Sequence, residues 1–196
     1  MDIYFVRHAE TDKNTKGIVH DRGDEEMLNR NGLIQVQKLA TALSGKGIIK
    51  LYCSSEKRTV QTAHLLSGEM GIPYEISELL RERDWGELSG KPWSEIEDKL
   101  RVMTIEERYE FKQLGGESWR EMEERAIKGL AYAITETHNN LAIITHYGVL
   151  RALMPRLKHE STETSLKYNF ENASITHVVF DNGTFTVRNE NLTSHL

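Results

Sequence analysis

The chain is organised around the stretch Ile3 to Thr11, with the sequence IYFVRHAET. Four apolar, β-favouring residues run directly into Arg7 and His8, and the run is too short for a helix and lacks helical spacing. It therefore predicts a buried strand with His8 just past its carboxyl end, the edge where open α/β sheets bind ligands. A neutral imidazole there can be a nucleophile, and Arg7 can hold an anion. A strand that merely happens to end in Arg-His is the alternative.

The composition is that of an ordinary globular chain. With 196 residues, 38% hydrophobic and 28% charged, residues 1–196 are predicted to form a single domain. The net charge of −5, with acids and bases interspersed, argues against a nucleic-acid partner. No apolar run approaches the roughly 20 residues of a membrane span, and the N-terminus lacks a signal-peptide pattern, so we predict a cytoplasmic protein without a membrane partner. Cys53 is the only cysteine, which excludes an internal disulfide.

Strand–turn–helix units alternate in the first half of the chain. Asn29 can cap a helix over residues 30–43, and residues 48–53 are predicted to form the second strand. Ser54-Ser55 then offers an N-cap for a helix over residues 56–70. Such alternation predicts a largely parallel sheet. The first of these helices is predicted to pack on the sheet through four apolar residues: Leu33, Val36, Ala40 and Leu43.

Residues 84–120 differ in composition from the rest of the chain, because they contain all three tryptophans among residues of mixed charge. They are predicted to form a small inserted helical lobe, with helices over residues 92–102, where Pro92 lies in the first turn, and over residues 104–113.

The remaining chain returns to the alternating pattern. Ser118 can cap a helix to about residue 138, and the apolar strand 141–145 ends in a second histidine, His146. Gly148 permits a tight turn into a further helix, over residues 149–157. An antiparallel hairpin over residues 174–188, turning at Asp181-Asn182-Gly183, is predicted to follow.

Three predicted strands thus end in chemically related groups. They are Arg7-His8, Ser54-Ser55 with Arg58 in the helix that follows, and His146. If the strands are parallel, two imidazoles and two guanidiniums converge on one cavity, which suits a dianionic phosphoryl group. A cation in the first turn of a helix interacts unfavourably with the helix dipole. This cost is explained if Arg58 and the free backbone N–H groups of that turn bind the same anion. The alternative is that Arg58 is a solvated surface arginine. Clustered cations also lower the pKa of a nearby imidazole and favour its neutral form.

The motifs, taken together, resemble the histidine phosphatase (phosphoglycerate mutase-like) superfamily over nearly the whole chain. RHAET at residues 7–11 with Asn14 is similar to the family's Arg-His-Gly-Glu-Thr…Asn signature. The other similar segments, in family order, are SSEKRTVQTA at 54–63, LRERDWGELSG at 80–90, GGES at 115–118 and THYGVLRAL at 145–153.

This resemblance implies a three-layer α/β/α sandwich with a mostly parallel sheet, and a phosphatase mechanism that needs no metal or cofactor. It implies that His8 attacks phosphorus and that Glu82 protonates the leaving oxygen and then activates water. It further implies that the phosphoryl oxygens are held by Arg7, Arg58 and His146, with help from Asn14. Tyr147 and Gly148, in the second-histidine motif, are predicted to contribute to substrate binding. The implied partner is a small-molecule phosphomonoester.

Two positions depart from the family pattern. Ala9 replaces the usual glycine, and if the site needs a positive φ, alanine costs on the order of 1 kcal/mol and displaces His8. His20 stands where many small phosphatases have a glutamine, so it either donates to a phosphate oxygen or fills the loop. The histidines show no HExxH spacing, and we therefore expect no catalytic metal.

The sequence is compatible with three functions. A phosphomonoesterase is favoured, because the chain ends soon after its hairpin and leaves little material to cover a phosphoenzyme. A phosphoglycerate mutase is the second alternative. A non-catalytic phosphate-binding regulator is the third, and Ala9 is its only support. The sequence specifies neither the natural substrate nor the oligomeric state; residues 9–28 and 84–120 are expected to set specificity.

Overall fold

One six-stranded sheet organises the computed structural model, which describes residues 1–196. Its strands are β1 (Asp2–Arg7), β2 (Lys50–Ser54), β3 (Tyr74–Ser77), β4 (Leu141–Thr145), β5 (Ile175–Asp181) and β6 (Thr184–Leu192). They lie in the order β3-β2-β4-β1-β5-β6. The first four strands pair in parallel, whereas β5 runs antiparallel to both β1 and β6. The predicted α/β fold with a mostly parallel sheet is confirmed.

Seven α-helices connect the strands. They are α1 (Asp12–Thr15), α2 (Arg30–Leu43), α3 (Lys57–Met70), α4 (Trp93–Arg101), α5 (Ile105–Glu110), α6 (Trp119–Thr137) and α7 (Tyr147–Leu157). Short 3-10 helices cover Glu78–Leu80, Gly86–Leu88 and Thr162–Lys167. None of the helices combines the length and the apolar character needed to cross a membrane.

The two faces of the sheet carry separate hydrophobic cores, because successive side chains of a strand point to opposite faces. Ile3 and Phe5 of β1 belong to one core, which α6 and α7 complete. Tyr4 and Val6 belong to the other, which α2 and α3 complete. Helices therefore cover both faces, and the predicted three-layer arrangement is confirmed.

The buried face of α2 differs from the prediction in its first turn. Leu33 is 42% exposed, whereas Leu39, which was not on the predicted face, is fully buried. The first turn approaches the chain through Gly32, where an added Cβ would lie 2.2 Å from the carbonyl oxygen of Glu10. The missing side chain lets the helix backbone lie against the segment that follows His8, and this close approach leaves Leu33 towards solvent.

Several predicted boundaries are also corrected. The strand predicted over residues 48–53 is Lys50–Ser54, and α3 begins at Lys57 with Glu56, not Ser54-Ser55, as its N-cap. Glu56 makes no side-chain cap because its carboxylate contacts Arg58. The helix predicted from residue 149 begins at Tyr147, so Gly148 lies in its first turn. Strand β3 was not predicted, because its four residues carry no clear alternation.

The segment between β3 and α6 contains α4 and α5. Both are shorter than predicted, and Pro92 is the N-cap of α4, not a residue of its first turn. Trp85, Leu88 and Ile96 form a small separate core in this segment.

Ala9 lies outside the left-handed region, since the five non-glycine residues with positive φ do not include it. Its side chain is fully buried and its N–H donates to Thr62 Oγ1 at 3.3 Å. The strain considered for alanine at this position therefore does not arise.

We expect Gly32→Ala to lower the free energy of unfolding by about 1–3 kcal/mol, since the new methyl group must displace backbone atoms of Glu10. Gly68→Ala in α3 is the matched control, because a Cβ there meets nothing within 4 Å and should stabilise the helix by up to about 1 kcal/mol. Urea unfolding of both variants measures the difference. Equal effects of the two substitutions would contradict the close approach at Gly32.

Candidate active site

The parallel pairing of β1 and β2 with β4 brings three strand ends to one edge of the sheet. The rings of His8 and His146, which follow β1 and β4, have centroids 5.2 Å apart. Arg58, in the first turn of α3, reaches both: its Nε donates to His8 Nε2 at 3.2 Å and its Nη2 to His146 Nδ1 at 3.1 Å. The structure thus brings together the groups that the sequence placed at the strand ends.

The hydrogen bonds of His8 define its tautomer. Nδ1 lies 2.8 Å from the carbonyl oxygen of Ala9, and because a carbonyl only accepts, Nδ1 carries the proton. Nε2 accepts from Arg58 and therefore holds the lone pair. Burial, followed by the positive charge of Arg58 and further groups around the ring, holds the pKa of His8 well below its usual value. The ring is a neutral imidazole whose nucleophilic nitrogen lies beside a guanidinium.

Both arginines keep unpaired donors at this edge of the sheet. Arg58 is 1% exposed, so the surface-arginine interpretation is wrong, and its buried Nη1 has no hydrogen-bond partner. Arg7 donates Nη1 to the carbonyl of Phe170 at 2.7 Å, while its buried Nε is unpaired. Unpaired buried donors are uncommon in folded proteins, and two of them on guanidiniums indicate a place for an oxyanion.

Glu82 is fixed by two backbone amides. Its Oε1 accepts from Arg83 N at 2.9 Å and its Oε2 from Gly148 N at 3.0 Å. The first turn of α7 thereby places the carboxylate, and a Cβ on Gly148 would lie 2.3 Å from Oε1. Arg125 of α6 anchors the segment behind it by donating to the carbonyls of Leu79, Arg81 and Glu82.

A second carboxylate, Glu56, lies in the site and was missed by sequence reasoning. Its Oε2 accepts from Arg58 Nη2 at 2.9 Å and lies 2.5 Å from His146 Nε2. Burial alone would raise the pKa of Glu56, but His146 and Arg58 hold it well below its usual value. The only sequence signal was a glutamate two positions before Arg58, in a run of charged residues where most acids are solvated.

Asn14 and His20 both lie on the cavity wall. Asn14 Oδ1 accepts from the backbone N–H of Thr11 at 3.1 Å and completes the N-terminal cap of α1. His20 Nε2 lies 2.7 Å from Glu26 Oε2, and the ring centroid is 6.1 Å from that of His8. Burial, with the charge of Arg58, lowers the pKa of His20 to about 3.

One trio of side chains has ligand atoms close enough together for a cation: His20, Asp24 and Glu26, all within 4.8 Å. Lys13 pairs with Asp24, and His20 Nε2 contacts Thr11 Oγ1 at 3.1 Å, whereas the buried Glu26 Oε2 has no hydrogen-bond partner. Lys13 and Asp24 form an ion pair in the loop before α2, whereas His20, with its lowered pKa, is neutral.

A cavity of about 500 Å³ opens over these groups. Seven of the nine predicted site residues line it: Arg7, His8, Asn14, His20, Arg58, Glu82 and Tyr147. The other two, His146 and Gly148, are buried and do not line the cavity. His146 contacts Arg58, and Gly148 contacts Glu82, and both of these partners line it. Trp85, Trp93, Glu97, Trp119 and Arg151 also line this cavity, and an adjoining cavity of about 280 Å³ shares all five of these residues.

Comparison with known proteins gives consistent similarities. The model of the histidine phosphatase superfamily (branch 1) matches residues 3–193. A putative phosphoserine phosphatase 2 of Hydrogenobacter thermophilus is 30% identical over 179 residues, which cover 90% of this chain and 88% of that protein. Human 6-phosphofructo-2-kinase/fructose-2,6-bisphosphatase 4 is 29% identical over 82% of this chain, which spans only 34% of that protein. The structure of Bacillus stearothermophilus YhfR aligns with a TM-score of 0.86 and 25% identity, covering 99% of this chain and 98% of that one.

We expect the free energy of unfolding to fall as the pH drops from 7 to 5. His8, His20 and His146 all have lowered pKa values in the fold, so they stay neutral while the unfolded chain takes up protons near pH 6.5. Each contributes a slope of up to about 1.4 kcal/mol per pH unit below that value.

Urea unfolding at several pH values measures this slope, and His20→Gln, which removes one of the three groups, should flatten it. Stability that is constant between pH 7 and 5, or an unchanged slope in His20→Gln, would show that these imidazoles are already charged in the fold.

Proposed function

The chain belongs to the histidine phosphatase superfamily and is a phosphatase of that family, and we propose that it hydrolyses phosphomonoesters without a metal ion, through a phosphohistidine on His8. The observation that carries this proposal is the state of His8: a neutral imidazole whose Nε2 bears the lone pair and accepts from Arg58 Nε, beside unpaired guanidinium donors. A nucleophile and a place for the oxyanion within contact of each other are the two requirements for phosphoryl transfer.

In the first proposed step, His8 Nε2 forms a bond to phosphorus while the bond from phosphorus to the ester oxygen breaks. Arg7 and Arg58 compensate the charge on the phosphoryl oxygens, and His146 supports Arg58 from behind. Glu82 gives its proton to the leaving oxygen, so the alcohol departs neutral. Its carboxylate is held at the cavity wall by the N–H groups of Arg83 and Gly148.

In the second step, water attacks phosphorus on the side from which the alcohol left. Glu82, now ionised, accepts a proton from that water, the N–P bond breaks, and His8 returns to its neutral form with inorganic phosphate as the product. Preorganised guanidinium groups supply the positive charge that a metal ion supplies in other phosphatases.

The alcohol part of the substrate is proposed to lie against the tryptophan wall. Trp85, Trp93 and Trp119 line the same cavity as His8, Arg58 and Glu82, and they also line the adjoining cavity. This lining favours a bulky or partly apolar ester group. The relative from Hydrogenobacter thermophilus is named putative phosphoserine phosphatase 2, which supports a small phosphorylated metabolite as the substrate class.

The two alternatives differ in support. The non-catalytic regulator rested on Ala9 alone, and Ala9 has an ordinary backbone conformation, which removes that support. A phosphoglycerate mutase uses the same groups and differs in whether water or a sugar acid receives the phosphoryl group.

We expect phosphate release from a panel of phosphomonoesters in the presence of EDTA, and loss of this release in His8→Ala. With 3-phosphoglycerate and a bisphosphoglycerate primer, isomerisation should be negligible beside phosphate release. Activity that disappears with EDTA and returns with one divalent ion would contradict the metal-free mechanism. Isomerisation faster than phosphate release would make the protein a mutase.

Glu82→Gln should reduce kcat/KM for alkyl phosphates by roughly 10²–10⁴-fold and for aryl phosphates with acidic phenols by much less, because only the alkoxide needs a proton to leave. Glu87→Gln is the matched control, since Glu87 is an exposed carboxylate of the same segment that does not line the cavity. Equal losses on both ester types would show that Glu82 is not the acid of the first step.

A further inference from the structure

Glu56 is a buried carboxylate in a site proposed to bind an anion, and the mechanism above gives it no part. It is 7% exposed, and a negative charge at this place opposes the binding of a phosphoryl dianion. The contacts of the Glu56 carboxylate indicate a function that compensates for this unfavourable charge.

Glu56 contacts both groups that back the phosphoryl site. Oε2 lies 2.9 Å from Arg58 Nη2 and 2.5 Å from His146 Nε2, and it accepts more weakly from Glu82 N at 3.5 Å. The Nε2–H of His146 itself is directed at Ser54 Oγ, 2.6 Å away. His146 Nδ1 accepts from Arg58, so in this arrangement His146 is neutral.

His8 and His146 have similar surroundings except for the carboxylates beside them. Both are buried, both contact Arg58, and their centroids are 5.2 Å apart. His8 is surrounded by Arg7, Arg58, His146 and His20, all of which disfavour a second proton on its ring. His146 meets Arg58 as well, but on its side lie the carboxylates of Glu56 and Glu82, which oppose the effect of burial.

We propose that Glu56 is a positioning residue that selects His146, and not His8, as the imidazole that takes up a proton when a phosphoryl group binds. Arg58 Nη2 then turns from His146 Nδ1 to the phosphoryl oxygens, and Nδ1 gains a proton and becomes a donor towards the same anion. The proton comes from solvent or from the monoanionic form of the ligand, and no other bond changes. His146 is an imidazolium paired with Glu56, while His8 keeps its lone pair for attack.

The inference rests on the proposed function in one respect, namely that the anion bound at Arg58 is a phosphoryl group. The inference adds a charge balance to that site. The negative charge of Glu56, which opposes the anion, is balanced by the proton that His146 takes up when the anion binds. A carboxylate beside an imidazole raises its pKa by roughly 1–3 units.

Nitrogen NMR of the labelled protein, with inorganic phosphate as the probe, tests the proposal directly. At pH 7.5, saturation with phosphate should convert His146 to an imidazolium in the wild type and leave His8 neutral. In Glu56→Gln, which keeps the shape but removes the charge, His146 should stay neutral on saturation with phosphate. Glu56→Asp should restore part of the effect, and Glu25→Gln, an exposed neighbour, should behave as the wild type.

The pH profile gives a second measurement that a merely structural carboxylate would not move. The alkaline limb of kcat/KM should shift to lower pH by about one unit or more in Glu56→Gln. A uniform loss of kcat/KM with an unchanged profile, or a His146 that stays neutral in the phosphate-bound wild type, would overturn the proposal. If no phosphomonoester is turned over at all, the proposed function fails first, whereas turnover with an unprotonated His146 rejects the role of Glu56 alone.

Discussion

The burial of Arg58 is the constraint on which the rest of the site depends. A guanidinium that is 1% exposed must have its donors satisfied by protein groups or by a ligand. Here Nε donates to His8 and Nη2 to Glu56 and His146, while Nη1 is left without a partner. One side chain therefore fixes the tautomer of His8, holds His146 behind the cavity, and keeps a donor for an anion. Charge and geometry are set together because all these partners meet at one arginine.

The order and direction of the strands bring these residues to one edge of the sheet. Because β4 lies between β1 and β2 and runs parallel to both, the residues that follow these strands emerge at the same edge. Arg7 lies at the end of β1, and Arg58 lies in the helix that follows β2. Glu82 lies in the segment after β3, which Arg125 anchors. The groups proposed to be catalytic thus lie on or next to elements packed against two cores. The tryptophan wall, in contrast, belongs largely to the segment between β3 and α6, which forms its own small core.

The parts of the site that adjoin strand ends could be predicted from the sequence, whereas those set by packing could not. His8, Arg58 and His146 follow short apolar runs, so their convergence depends only on parallel pairing. Glu56 looked like one more surface acid, and only the burial of the turn around it gives it neighbours. Similarly, the spacing of apolar residues predicted α2 correctly but placed Leu33 on the buried face, since periodicity cannot show that Gly32 lies against Glu10. The short strand β3 carries too few residues for a pattern to be read.

The proposed phosphohistidine on His8 can be trapped during turnover. A radiolabelled phosphomonoester is mixed with the protein, the reaction is quenched in alkali within one turnover, and the label is mapped by peptide mass spectrometry. We predict an acid-labile, alkali-stable phosphoryl group on Nε2 of His8, the nitrogen that bears the lone pair in the structure. Phosphate release with no labelled protein, or an acid-stable label on a different residue, would contradict the account.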